Sequence, residues 1–170
     1  MSHCATRIRL VLLLAGLLVS PRVAAAQSEH DHHQRADTDT AFASMQERGK
    51  AAMGVDQYSS AHQFEDLSDG GRIELQRDSS DHAGVTQIRA HLQRIAKAFA
   101  AGNFNVPGFV HAGEVPGTSV MRERRDRISY RFSPLLGGGQ VRIATTDRAA
   151  RRAVHEFLAF QRREHRVAEH

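Results

Sequence analysis

Cysteine is all but missing from this sequence, and tryptophan is missing altogether. The one cysteine, Cys4, lies ahead of an apolar run at the amino terminus, and none follows that run. A chain that loses this first segment on export keeps no thiol. It therefore has no disulfide framework, no thiolate metal site, no cysteine nucleophile and no cysteine to carry a lipid anchor. Aromatic residues make up only 6% of the chain, so its core has to be built mainly from Leu, Ile, Val and Ala, and its stability from packing. Membrane-spanning length is missing too. Ser20-Pro21-Arg22 ends the Leu10–Val19 run well short of the roughly 20 apolar residues that a spanning helix needs.

That run belongs to another pattern. Arg7 and Arg9 precede it and Ala24-Ala25-Ala26 follows it, giving the charged, apolar and small-residue parts of a secretory signal peptide over residues 1–26, with cleavage expected after Ala26. The mature chain is then expected in the periplasm or outside the cell, with no stable membrane anchor. Three of the 23 basic residues and none of the 19 acidic ones lie in residues 1–26, so cleavage lowers the net charge from +4 to +1. A near-neutral exported chain has no basic surplus to offer nucleic acid, and the mixed-sign run Arg122–Arg127 reads as a solvated helical face.

Residues 27–39 are polar and aperiodic, and read as a disordered tail. His30, His32 and His33 beside Glu29 and Asp31 offer loose ligands for copper, nickel or zinc; a merely solubilising tail has the same composition. Residues 40–170 are read as a single α+β domain, beginning with a helix from Thr40 to Met53 that Gly54 ends.

The body of the domain repeats itself. Phe64, Leu67, Gly70-Gly71, Ile73 and Leu75 recur in register as Phe132, Leu135, Gly138-Gly139, Val141 and Ile143. Each copy reads as strand, glycine turn, strand, and each is followed by an amphipathic helix: Val85, Ile88, Leu92, Ile95 and Phe99 in the first, and Val154, Phe157, Leu158, Gln161 and His165 in the second. The fold expected is a duplicated ββα unit, residues 58–102 and 128–166. It forms a four-stranded antiparallel sheet with two helices on one face, analogous to a permuted ferredoxin-like sheet. In the first strand Tyr58, Ser60, His62 and Phe64 share a side. Between the units, residues 103–117 contain two Pro-Gly steps and read as a loop with a short extended piece at Phe109–His111.

Of the eleven histidines only His3 precedes the expected cut, and several of the rest fall beside apolar positions. His62 shares a strand face with Phe64, His91 borders the first helix stripe, His165 ends the second, His111 follows the apolar loop segment and His155 lies within the last helix. A buried imidazole needs a partner for each ring nitrogen. Imidazoles converging from strand, helix and loop suit Zn²⁺ or Cu²⁺. The ligand set expected is His62, His91 and His111, with His155 or His165 as a further member. A shared site needs the rings within about 5 Å of one another, since ligating nitrogens stand about 2.0–2.1 Å from the ion. The competing reading is a metal-free module in which the histidines are structural and the Pro-Gly loop or a sheet face binds a protein or small molecule. A third is a hydrolytic metalloenzyme using a carboxylate such as Glu114.

Sharper motifs fail. His155-Glu156 begins like a zinc-protease helix, but Ala159 stands where the second ligand belongs. Gly137-Gly138-Gly139 lacks the Lys and Ser/Thr of a phosphate loop, and there is no Gly-x-Ser-x-Gly turn, so no catalytic residue is assigned.

Met53-Gly54, His62 with Phe64, His91-Leu92, Gly102-Asn103-Phe104, Pro107, His111, Pro116-Gly117 and Met121 lead to the ending His155-Glu156-Phe157-Leu158-Ala159-Phe160-Gln161 with His165. In these positions the chain resembles a family of small exported bacterial proteins of uncharacterised function. Similar sequences tend to carry an aromatic residue in place of Val55 and a second histidine in place of Gln63. On a strand Gln63 points away from His62, so that departure weakens an outward-facing ligand pair more than an inward site. The resemblance implies a shared fold and brings no activity with it.

Overall fold

Alternating burial sets the sheet. Strands β1 (Ala61–Leu67) and β2 (Gly70–Gln76) form one antiparallel hairpin, and β3 (Ile128–Leu135) and β4 (Gly138–Thr145) form the other. The second strand of each pairs antiparallel with the other, giving the order β1-β2-β4-β3. Ile73, Leu75, Val141 and Ile143 point to one side and are buried, while Arg72, Glu74, Gln140 and Arg142 point to the other and stay half exposed. The computed structural model describes residues 39–56 and 59–166. The expected signal peptide, and nearly all of the polar tail with its three histidines, lie outside these residues, as does the expected strand residue Tyr58.

Five α-helices accompany the sheet among the described residues: α1 (39–53), α2 (His82–Ala100), α3 (Asn105–His111), α4 (Thr118–Glu123) and α5 (Arg148–Glu164). Asp81 caps α2 by accepting from the Gly84 N–H, and Asp147 caps α5 by accepting from Ala149 and Ala150. Each long helix lies mainly over the hairpin it does not follow, α2 on β3 and β4, α5 on β1 and β2. The domain is α+β, with Ile88, Leu92, Phe99, Val154, Phe157 and Leu158 closing the core over the buried sheet face. No helix among the described residues is long and apolar enough to cross a membrane.

Three local expectations need correction. The hairpin turns are Ser68–Asp69 and Leu136–Gly137, so Gly70-Gly71 and Gly138-Gly139 belong to strands. Glycine is needed there for close approach: a Cβ on Gly71 would collide with Leu158 of α5 and with the Glu65 carbonyl. Next, the 103–117 segment contains helix α3 where an extended piece was expected. Pro107 falls in its first turn, where a missing N–H breaks no helical bond, and the Asn103 side chain accepts from the Asn105 N–H at 2.9 Å. Last, α4 stops at Glu123, so the run Arg122–Arg127 expected as one helical face is divided between the end of α4 and a short turn at Arg125–Arg127. Arg124 reaches Asp147, the α5 cap, at 2.7 Å instead.

Candidate functional site

Four of the five expected ligand residues line a single cavity of about 90 Å³. His62 comes from β1, His91 from α2, His111 from the end of α3, and His165 from the C-cap of α5. The rest of the wall is largely apolar, including Met53, Phe64, Leu92, Phe99 and Phe157. His165 is the hub: its ring centroid lies 5.2 Å from that of His62 and 5.3 Å from that of His111. With metal–nitrogen bonds of about 2.0–2.1 Å and ring centres about 1.1 Å behind the nitrogens, two imidazoles on one tetrahedral ion have centroids about 5 Å apart. The two separations that involve His165 are of that size, whereas no ring contact joins the expected His62, His91 and His111 to one another. His91 faces the same cavity without a ring contact to the other three, and it is close enough that its charge would disfavour a proton on His62.

Hydrogen bonds fix three of the rings. His62 is bonded to the backbone of Ser60 and His91 to that of Ala52 in α1, while His111 Nε2 lies 3.1 Å from Gln161 Oε1. An N–H given to an oxygen in this way sets the tautomer of a neutral imidazole and leaves its other nitrogen a bare acceptor. His165 has no such support: its Nδ1 is buried and has no hydrogen-bond partner among the described residues. Burial also decides the charge. It lowers His62 from an ordinary 6.5 to about 4, with a smaller push from His91, and lowers His91 to about 4, helped by Arg94. Burial, then His62 and His111, take His165 down to about 3. His111 is lowered by burial as well, against the upward pull of Gln161 and Glu164. All four are therefore neutral near pH 7, the form in which imidazole ligates.

No protein-family model, no curated protein and no solved structure matches this chain. What the cavity can do has to come from its geometry. Among the described residues no group of three or more His, Cys, Asp or Glu side chains is already arranged to hold a metal ion, so ligation requires the rings to rotate. A cavity of about 90 Å³ leaves room for that and for several waters, each needing on the order of 10–15 Å³.

His155 is placed elsewhere. Its Nε2 lies 3.0 Å from the Leu67 carbonyl and 2.9 Å from that of Gly70, across the β1–β2 turn. Two acceptors on one nitrogen require that nitrogen to carry the proton, which makes this histidine a clasp on the hairpin. Glu114 is exposed, and no carboxylate among the described residues lines the cavity, so none of them supplies the base that the hydrolytic reading needs. Gln161 is the site residue whose role the sequence understated. A polar side chain within the buried α5 stripe, one turn before His165, needs partners on its own account; His111 supplies one for Oε1, while Nε2 is left without a partner among the described residues.

Proposed function

We propose that the mature chain is an exported, periplasmic domain that binds a divalent transition metal, Zn²⁺ or Cu²⁺, through His62, His91, His111 and His165. The observation that carries this reading is the set of four neutral imidazoles facing one cavity from four different elements, one of them with a buried nitrogen that no described residue satisfies. A bare buried acceptor costs on the order of 1–3 kcal/mol until something donates to it or coordinates it. A cation accepted by all four nitrogens removes that cost, and the backbone bonds to His62 and His91 are the outer support that ligating imidazoles usually have. Periplasmic residence rests on the three-part pattern of residues 1–26. The same reading takes the domain as a duplicated ββα unit in permuted ferredoxin-like order. Supporting it, Ile73 and Val141, equivalent positions of the two copies, stand directly opposite each other at the centre of the sheet.

The experiment is a calorimetric titration of Zn²⁺ and Cu²⁺ into the mature chain with His30, His32 and His33 changed to Ala, beside the same chain carrying His165→Ala. One-to-one binding that His165→Ala abolishes supports the site; heat that vanishes with the tail histidines alone removes it.

The metal-free alternative keeps one specific support. The stacked His62–His165 pair, at 15° between planes, and the His111–Gln161 bond give most of the cluster protein partners without an ion. In that reading the largely apolar cavity receives a small neutral molecule that donates to His165 Nδ1.

A further inference from the structure

His111 lines a second pocket, of about 280 Å³, between α1 and the end of α5, close to the lower end of the about 300–1,000 Å³ usual for ligand sites. Three guanidinium groups surround it. Arg166 pairs with Asp39 at 3.0 Å and lies 3.9 Å over the Phe42 ring, and Arg163 is 3.5 Å from Glu164. Arg48 differs. Its Nε donates to the Val110 carbonyl at 2.8 Å, which holds the group in place, and no carboxylate pairs with it among the described residues. Among the described residues the three guanidinium groups thus meet two carboxylates, Asp39 and Glu164, and the unmatched one is the one whose stem is anchored. Phe42 and the buried Met45 supply an apolar wall beside it.

We propose that this pocket binds a small organic carboxylate with an apolar body, its carboxylate on the free edge of the Arg48 guanidinium and its body against Phe42 and Met45. A planar guanidinium edge with two N–H donors matches a carboxylate in a bidentate pair. A single unmatched positive charge favours a monoanion over a phosphate dianion, which would bring a second negative charge beside Glu164. The wall favours a ligand with a ring or short chain over a bare oxyanion. The pocket is separate from the histidine cavity apart from the shared His111 ring, so the inference stands or falls without the metal.

The probe is benzoate, titrated into the full mature chain after chelator treatment, followed by backbone amide and methionine methyl NMR shifts, with inorganic phosphate and benzyl alcohol as comparisons. Saturable shifts at Ala41, Met45 and Arg48, with benzyl alcohol and phosphate each weaker by about tenfold or more, are the expected result. Arg48→Gln is expected to weaken benzoate by a similar factor. Shifts centred elsewhere, phosphate binding as tightly as benzoate, or no saturation would overturn the proposal. Because the Arg48 stem also ties α1 to α3, the shift map on the unaltered chain decides the matter if the variant does not fold.

Discussion

Helix α5 carries two histidines that meet opposite fates. His155, at its middle, gives one N–H to two carbonyls and closes the β1–β2 turn. His165, at its end, has a buried Nδ1 with no partner and two other imidazoles within about 5.3 Å. The first is complete as protein. The second, on the proposed reading, is completed by a bound ion, and on that reading the difference separates a structural histidine from a ligand better than burial or sequence position does. Both sit beside the same apolar stripe; what distinguishes them is whether the neighbouring element offers carbonyls or more imidazoles.

The comparison can be strained most by acid. Burial puts the folded-state values of His62, His91 and His165 at about 4, 4 and 3, below the about 6.5 of an unfolded chain. Between those limits the unfolded chain takes up protons that the folded one refuses, so stability is complete above about pH 6.5 and falls as the pH drops toward 4. Each of these histidines adds up to about 1.4 kcal/mol per pH unit to the slope. Urea unfolding of the metal-free protein between pH 7 and 5 is expected to show a steep loss, shallower in His165→Ala.

Metal is expected to act next most strongly. Zn²⁺ at about a hundredfold excess over its Kd stabilises the folded state by about 2.7 kcal/mol. A thermal scan of the chain with its tail histidines replaced should show the rise in Tm in the otherwise unaltered protein and in His155→Ala, and lose it in His165→Ala. A rise that survives His165→Ala would break the comparison from the ligand side.

Without metal the order of the two substitutions reverses. His155→Ala leaves the Leu67 and Gly70 carbonyls without their donor and is expected to cost about 1–2 kcal/mol at pH 7. His165→Ala removes a group that is already unsatisfied and should change stability by less than about 1 kcal/mol, in either direction. The smallest effect belongs to the exposed tie beside the clasp. Asp66→Asn weakens the Arg162–Asp66 pair, at 3.0 Å, and should cost no more than about 1 kcal/mol because solvent and salt screen it.

Much of the frame was legible in the sequence. Two alternating strand pairs and two helix stripes of the expected period became β1–β4, α2 and α5, since a half-buried strand and an amphipathic helix each write their burial into residue order. The glycine pairs were misplaced by a residue or two. Glycine marks both a turn and a close approach, and only the position of Leu158 over Gly71 tells which applies. Helix α3 was missed because seven residues containing Pro107 and Gly108 show no period. It delivers His111 to the cavity and Pro107 and Val110 to its wall. His62, His91, His111 and His165 were singled out as candidates, but their grouping depends on α2 and α5 crossing to opposite hairpins. No residue pattern separated His155 from His165, because the clasp depends on where the β1–β2 turn passes over α5.

The most direct test is an imidazole ¹H–¹⁵N spectrum recorded while Zn²⁺ is added to the mature chain with His30, His32 and His33 replaced by Ala. The account expects the ring signals of His62, His91, His111 and His165 to move together and saturate at one equivalent, while those of His155 stay in place. Shifts confined to surface histidines such as His82, or movement of His155 with the rest, would contradict it.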